Sequence, residues 1–507
     1  MEAVQWGGAA TLPEDVGETR GRASERFAAL GPLYVDLNNS LIGTDLLLEN
    51  ALGILRYEPQ ALVAAAFDLG RGRQALKMRL AEKSTVDVTT LPYREAVLKE
   101  IRQARADGRP VVLATGAPLA TAERVAAHLR LFDGVLASSE AVNLVGEAKR
   151  DAIVADAARR RRTAGLTGET FGYIGDARVD RPIFEAAAKG QAIAPGGAIP
   201  QALAAHAEPL AVPARTAKSA IKALRPHQWT KNVFVFTPLV LSHGFPALEA
   251  IFASVLAFIA FSAIASATYI FNDLLDLRID RSHRSKRFRP LAAGKVSIPT
   301  ALWLATGVFA FGVGVALTLP LLFQALLGIY VLSTLAYSLA LKRMLMIDVI
   351  TLAGLHTLRI LAGSAAAEID VSFWLLSFSL FLFLSLALVK RYMELVHIGD
   401  RAGRKRTGRG YREADLETIA LGGMCSAFSA VLVLALYINS DITLATVAHP
   451  WVLWPICPLI LYVLMRIWIL ARRKEMDDDP VAFALTDWRS QIMFALSGII
   501  YLAAPHV

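Results

Sequence analysis

The chain has 507 residues, 55% hydrophobic and 19% charged, with a formal net charge of +9 and a mean hydropathy of +0.44. That average is too apolar for one soluble protein and too charged for a purely membrane one, so two unlike parts are expected, with regular charges giving way to long apolar runs after about residue 220. The two cysteines, Cys425 and Cys457, fall inside apolar runs, which argues against a disulfide framework or a zinc site and makes them small buried side chains.

Residues 1–30 lack the basic start and apolar core of a signal peptide and read as a flexible leader, which keeps the next domain in the cytoplasm. From 31 to 195, LYVDL, PVVLATG, GVLASS, FGYIGDA and QAIAP read as strands, with YREAVLKEIRQARADG and ATAERVAAHLRLF as helices between them. Such alternation predicts an α/β domain, a parallel sheet covered by helices. Residues 45–90 are helical in pattern and follow the first strand directly, where a small cap would be inserted. Residues 196–220 are a linker rich in Ala, Pro and Gly, leading into ARTAKSAIKALRPHQW, a basic amphipathic segment suited to a membrane surface.

Residues 221–507 predict an all-α polytopic membrane domain of about nine spans, at 232–246, 249–271, 299–318, 320–340, 346–366, 372–390, 416–438, 450–470 and 489–505. With the N-terminus inside, the loops RSHRSKRFR, LKR, KRYMELVHIGDRAGRKRTGRGYR and ARRKEMDDD all fall in the cytoplasm, whereas LSHGFPALE and AAAEIDVS hold no Lys or Arg. The positive-inside rule therefore gives a multi-pass protein of the inner membrane with its C-terminus on the opposite side. The basic loops suit phosphate groups; no nucleic-acid partner is expected, and an oligomer is compatible with the sequence.

In the first part, Asp36 closes an apolar run, as a strand delivering a carboxylate to its carboxyl end would. Thr115 in VVLATGA, Lys149 in GEAKRD, and Asp176 with Asp180 in YIGDARVD follow in order. This set resembles the haloacid dehalogenase superfamily, which implies a Rossmannoid phosphatase fold. The resemblance makes Asp36 the nucleophile, Thr115 and Lys149 the groups that hold the phosphoryl oxygens, and Asp36, Asp176 and Asp180 the magnesium ligands. An Asp-x-Asp pair is usual in such phosphatases, the second acid protonating the leaving alcohol. Asn38 stands there and is no acid near neutral pH, a loss worth roughly 10²–10⁴ in rate. The residues are thus compatible with a slow phosphatase and with a structural domain alike, and a helix-capping role for Asp176 and Asp180 is the bland alternative.

In YIFNDLLDLRID, Asp273, Asp276 and Asp280 lie at the end of the second predicted span, and on one continuous helix would project within about 60° of one another. Carboxylates so close repel unless a cation intervenes, and they suit magnesium bridging to substrate phosphates; a solvated helix end is the alternative. Asp348 and Arg359 lie within about 20° on the fifth predicted span and roughly 16 Å apart along it, so that Arg359 would sit deep in the membrane facing the same cavity. Arg466, nearer its span end, reads as a snorkelling side chain.

LRPHQWTKNVFVF, NDLLDLRID, YSLALKR, IDVITLAGLHTLRILAG, LVKRYMEL, GRGY and DPVAFALTD resemble the UbiA superfamily, and within it the decaprenyl-phosphate phosphoribosyltransferases. The resemblance implies transfer of ribose 5-phosphate from phosphoribosyl pyrophosphate to a polyprenyl phosphate in the bilayer, with magnesium held by Asp273, Asp276 and Asp280 and Asn272 beside them. It implies phosphate contacts from Lys231, Lys342, Arg359, Lys390, Arg391 and Arg409, and a pocket shaped by Tyr337, Asp348 and Tyr411. The fused phosphatase-like domain would then remove the 5-phosphate, in lipid-linked ribose or arabinose synthesis that feeds an envelope polymer or a secreted glycolipid. An aromatic-substrate prenyltransferase is the alternative enzyme. It should carry a second Asp-x-x-x-Asp pair on the helix where Asp348 and Leu352 stand. A non-catalytic membrane scaffold is the alternative outside enzymes.

Overall fold

The computed structural model describes residues 27–58, 60–61, 73–83, 86–214, 216–242, 247–399, 410–476 and 479–504. Most of the expected leader and Arg409 lie outside them. The chain divides into two compact units, residues 1–223 with 273–302, and residues 224–272 with 303–507.

The first unit is built on a six-stranded sheet of β1 (Leu33–Val35), β2 (Val111–Pro118), β3 (Gly134–Ser138), β4 (Gly172–Gly175), β5 (Lys189–Pro195) and β6 (Glu208–Val212), in the order β3-β2-β1-β4-β5-β6. Every pairing is parallel. The chain runs outward from β1 in one direction and then in the other, so the topological switch lies between β1 and β4, where α/β sheets bind ligands at their carboxyl ends. Alternation along each strand sorts the cores. Leu33, Val35, Val111, Leu113 and Ile174 join the cluster that contains Val97 and Ile101, while Tyr34, Val112, Ala114 and Tyr173 join Ile153, Ile183 and Phe184. The helices are α1 (Leu46–Tyr57), α2 (Arg73–Lys83), α3 (Glu95–Ala106), α4 (Leu119–Leu129), α5 (Glu147–Thr163) and α6 (Arg181–Ala186). The expected cap region thus holds α1 and α2. Asp45 starts α1 by accepting from the Leu47 and Leu48 N–H groups at 2.8 and 3.2 Å. Gly31 has φ +62°, and a Cβ there would come within 1.8 Å of the Thr170 carbonyl oxygen, so only glycine fits beside β4.

The sequence reading ends this domain at residue 195, but β6 extends the sheet through what reads as linker. A parallel edge strand of composition EPLAV carries no alternating signal, and its proline is tolerated only because it lies at the edge.

The second unit is helical. Its long elements are α7 (Leu248–Leu275, whose last residues from Asp273 belong to the first unit), α8 (Ile298–Ala316), α9 (Leu321–Leu339), α10 (Ile347–Ala367), α11 (Phe373–Gly399), α12 (Leu416–Ile438) and α13 (Ile456–Arg472), followed by α14 (Pro480–Thr486) and α15 (Trp488–Ala503). Among the described residues, seven helices, α7 to α13, are long and apolar enough to cross a membrane. Large apolar side chains such as Trp303, Leu321 and Leu332 point outward, as lipid permits and water does not. Helix contacts are tied by small polar groups: the Trp468 indole N–H donates to Ser385 Oγ at 3.0 Å, and that hydroxyl donates to the Gly423 carbonyl at 2.8 Å.

Two of the nine expected spans take another form. Residues 226–236 form a 3₁₀ helix followed by a short α-helix, Thr237–Leu241, because Pro226 and Pro238 allow helix starts but interrupt a continuous ladder. Gly363 of α10 packs against this segment so closely that a Cβ would meet the Val235 carbonyl oxygen at 1.9 Å. The ninth, α15, has 16 residues, short of a full span. Cys457 is buried as expected, whereas Cys425 is exposed on α12, since an apolar run in a membrane helix has lipid-facing as well as core positions.

Candidate active sites

At the carboxyl ends of β1 and β4, four charged side chains meet. Lys149, in the first turn of α5, donates to Asp36 Oδ1 at 2.8 Å, to the Tyr173 hydroxyl at 2.8 Å and to Asp180 Oδ2 at 3.3 Å. Tyr173 in turn donates to Asp180 Oδ2 at 2.8 Å. Ser40 Oγ stands between Asp36 and Asp176, 3.1 Å from a carboxylate oxygen of each. Thr115 is fully buried in β2, its hydroxyl oxygen accepting from the Ala117 N–H at 3.1 Å.

The electrostatics follow from three carboxylates facing one ammonium. Burial pushes the Asp36 carboxyl above the usual carboxylate range, against the pull of Lys149. Burial and then the charge of Asp36 push Asp176 up to about 7. Burial alone would lower Lys149, but Asp36 and Asp180 outweigh it and hold the ammonium protonated. Asn38 has a different task from the one an acid would perform: its side-chain oxygen accepts from the Leu46 N–H at 3.2 Å, at the start of α1.

In the 273–302 segment, Asp273 and Asp280 converge on Arg289, whose Nη1 lies 3.1 and 2.6 Å from their oxygens. Burial, reinforced by Asp273 and opposed by Arg289, raises the Asp280 carboxyl. Asp276 turns elsewhere and pairs with Arg56. The projection of all three from one helix does not carry through because α7 ends at Leu275 and Asp276, at φ −91° and ψ 5°, starts a new short helix, Leu277–Ser282. Asn272 is half-buried at the end of α7.

In the helical unit, Asp348 is fully buried and accepts from Arg391 Nε and from the Tyr411 hydroxyl, each at 2.5 Å. Arg391 also pairs with Glu394 and donates to the Tyr337 hydroxyl at 3.2 Å. Arg359 keeps different company from Asp348. It donates to Asn232 Oδ1 at 2.9 Å, to the Leu355 carbonyl at 2.6 Å and to the Tyr330 hydroxyl at 3.1 Å, so the two share a helix but not a set of partners. Lys231 pairs with Asp479 and donates to Gln228 at 2.7 Å. Burial alone would raise Asp479, but Lys231 and then Lys390 hold its carboxyl at about 2. Lys342 and Lys390 are half-buried, in the 3₁₀ turn Leu341–Arg343 and on α11. Arg466 is held in a two-pronged pair with Asp487, at 2.6 and 3.1 Å, rather than extending alone.

A UbiA prenyltransferase family model matches residues 233–497. The chain belongs to the UbiA prenyltransferase family. Its first part is haloacid dehalogenase-like, matching that hydrolase family over residues 19–185. The chain is 36% identical over 485 residues to the uncharacterized protein y4nM of Sinorhizobium fredii, covering 93% of this chain and 91% of that one. It is 33% identical over 284 residues to the nodulation protein NoeC of Azorhizobium caulinodans, covering 55% of this chain and 92% of that one. It is 36% identical over 198 residues to the decaprenyl-phosphate phosphoribosyltransferase of Corynebacterium glutamicum, covering 38% of this chain and 59% of that one.

Among the described residues no group of three or more His, Cys, Asp or Glu is disposed to hold a metal. Magnesium, however, is commonly bound by one or two carboxylates, with waters and substrate phosphates completing its shell. Asp36 with Asp176, two carboxyls sharing one hydroxyl, the charge of Asp36 raising Asp176, fits that description. So does Asp273 with Asp280 in the UbiA domain.

Ser40, Tyr173, Arg289, Asn232, Glu394 and Asp479 were missed as site residues by sequence reasoning. All but Ser40 lie in stretches already singled out there, and Tyr173 stands three residues before Asp176, on the strand that delivers it. Side-chain direction, which selects them, is not a sequence signal.

Proposed function

We propose that the UbiA domain transfers 5-phosphoribose from phosphoribosyl pyrophosphate to a polyprenyl phosphate such as decaprenyl phosphate, with magnesium. The observation that carries this reading is the state of Asp348. Where an aromatic prenyltransferase should present a second acidic pair, Asp348 is alone and bonded to Arg391 and Tyr411. Asp273 with Asp280 is then the acidic pair left to serve the departing pyrophosphate, and the likeness to the Corynebacterium glutamicum enzyme supports the same choice.

Asp273 and Asp280 would hold magnesium, which when bound neutralises charge on the departing pyrophosphate. Arg289 holds those two carboxylates in place and can release one to the incoming phosphates. Lys390 and Lys342 would supply positive charge for the lipid phosphate, whose oxygen attacks the anomeric carbon as the bond to pyrophosphate breaks, while Arg391 and Lys231, matched by Asp348 and Asp479, would hold the surrounding helices. Asn272, Tyr337 and Tyr411 shape the pocket, and Arg359 braces α10 against Asn232. The basic loops support a site on the cytoplasmic face of the inner membrane, where the sugar donor would be available.

The haloacid dehalogenase-like domain would remove the 5-phosphate from the lipid product. Asp36 would attack phosphorus, Lys149 would offset phosphoryl charge, Thr115 would orient an oxygen, and Asp176 with Asp36 would hold magnesium, Asp180 fixing Lys149. The purified full-length protein, given labelled phosphoribosyl pyrophosphate, magnesium and polyprenyl phosphates of several lengths, should form a ribosylated lipid. Formation of none, with prenyl transfer from an allylic pyrophosphate to an aromatic acid instead, would replace this reading by the alternative enzyme.

A further inference from the structure

Helix α1 of the sheet domain carries Glu49 and Arg56, seven residues apart and therefore within about 20° of one another on one helix face, roughly 10 Å apart along it. Both reach the segment that bears the metal-directed carboxylates. Glu49 receives both terminal nitrogens of Arg281, at 2.6 and 2.8 Å, with the two side chains 8% and 5% exposed, and the Thr44 hydroxyl donates to the same carboxylate at 2.5 Å. Arg281 uses its Nε on the Ala292 carbonyl at 3.2 Å. One turn of chain away, the Arg289 carbonyl accepts from the Ala293 N–H at 2.9 Å, and the Arg289 side chain holds Asp273 and Asp280. Arg56 pairs with Asp276 and donates to the Leu275 carbonyl at 2.9 Å, at the end of α7.

We infer that α1 is a positioning element of the transferase: Glu49 and Arg56 fix the 273–302 segment, and through it the geometry of Asp273, Asp276 and Asp280. This rests on the transferase reading of those carboxylates. It gives the cap position of the first domain a role apart from phosphate removal. A bidentate pair almost sealed from water is directional, and loss of either partner would strand the other charge, so the segment has one favoured arrangement while the clasp holds. Truncating the first domain should therefore impair a reaction whose reacting atoms it does not touch.

The test uses the full-length protein with Glu49→Gln, Arg56→Gln, Glu49→Arg, and the exchanged pair Glu49→Arg with Arg281→Glu. Amide hydrogen exchange reads the clasp directly. Exchange across 277–296 should quicken by about 10-fold in the three single variants while β1, β2 and β4 stay as protected as in wild type, which also reports that the domain is folded. Ribosyl transfer at saturating magnesium should lose about 10–100-fold in kcat/KM, the scale of a misplacement near 1 Å, and the exchanged pair should recover most of what Glu49→Arg loses. Unchanged exchange in Glu49→Gln and Arg56→Gln overturns the clasp. Faster exchange with undiminished transfer overturns the positioning role. If wild type itself makes no ribosylated lipid, the transferase reading fails, and exchange alone decides the clasp.

Discussion

The two acidic sites and the buried charges of the helical unit handle charge in opposite ways. At the end of β1 Asp36 and Asp180 share one lysine with Asp176 beside them, and at Arg289 two carboxylates share one guanidinium, so each site gathers like charges around a shared cation. In the helical unit, Asp348 has Arg391 and Asp479 has Lys231, while Arg359 is held by neutral oxygens. A cluster of like charges is poised for an added cation or ligand; a matched pair is poised to keep helices in register where stranded charge is expensive. The comparison thus separates groups that should take part in chemistry from groups that should hold it in place.

The largest expected effect is on the side of the clustered carboxylates. Asp273→Ala should cut ribosyl transfer by about 10³-fold without lowering the melting temperature, since it removes a repelling charge and opens no apolar cavity. Near-normal formation of ribosylated lipid at saturating magnesium would end the distinction for that cluster.

On the matched side, Lys231→Met should destabilise the detergent-purified protein by about 3–5 kcal/mol, because Asp479 is left charged and partly buried. Lys231→Met with Asp479→Leu should regain most of that. A double variant no better than the single one would show that the pair is not what anchors α14. Arg359→Ala should be severe in both transfer and thermal stability. Arg359→Lys should keep part of each, losing about 1–2 kcal/mol, since one ammonium cannot reach Asn232, Leu355 and Tyr330 together.

Asn38→Asp sharpens the first domain's part of the comparison. The new carboxyl group would inherit the Leu46 N–H, which favours its ionised form and weakens it as an acid. The gain in phosphate release from the lipid product should accordingly be about 10-fold rather than the 10²-fold or more that a fully competent acid would give. Release equal to that of Asp36→Asn in the same Asn38→Asp background would mark the domain as non-catalytic.

The smallest effect is in pH dependence. Asp479 is held at about 2 against an ordinary value of 3.8, so between these values the unfolded chain binds more protons than the folded one. Stability from this group is complete above the upper value and is lost as pH falls through the lower one. The difference in melting temperature between wild type and Asp479→Asn should therefore shrink from pH 5 to pH 2; a constant difference would detach Asp479 from Lys231.

What the sequence by itself determined depends on local periodicity. Short apolar runs ending in Asp36 and Asp176 predict parallel strands delivering acids to one sheet end, and nine apolar runs predict membrane-spanning helices, of which seven are long and apolar enough among the described residues, because strand alternation and bilayer thickness act on neighbouring residues. Tertiary structure decided where side chains point and which distant charges meet. The run 232–246 reads as a span, but its described part runs partly as 3₁₀ helix against Gly363. Asp276 shares its motif with Asp273 and Asp280 and is turned toward Arg56 by the helix break after Leu275. Arg281 finds Glu49 across 232 residues of chain. No local rule selects such partners, since a charge in the interior settles on whichever opposite group the packed helices bring within hydrogen-bond reach.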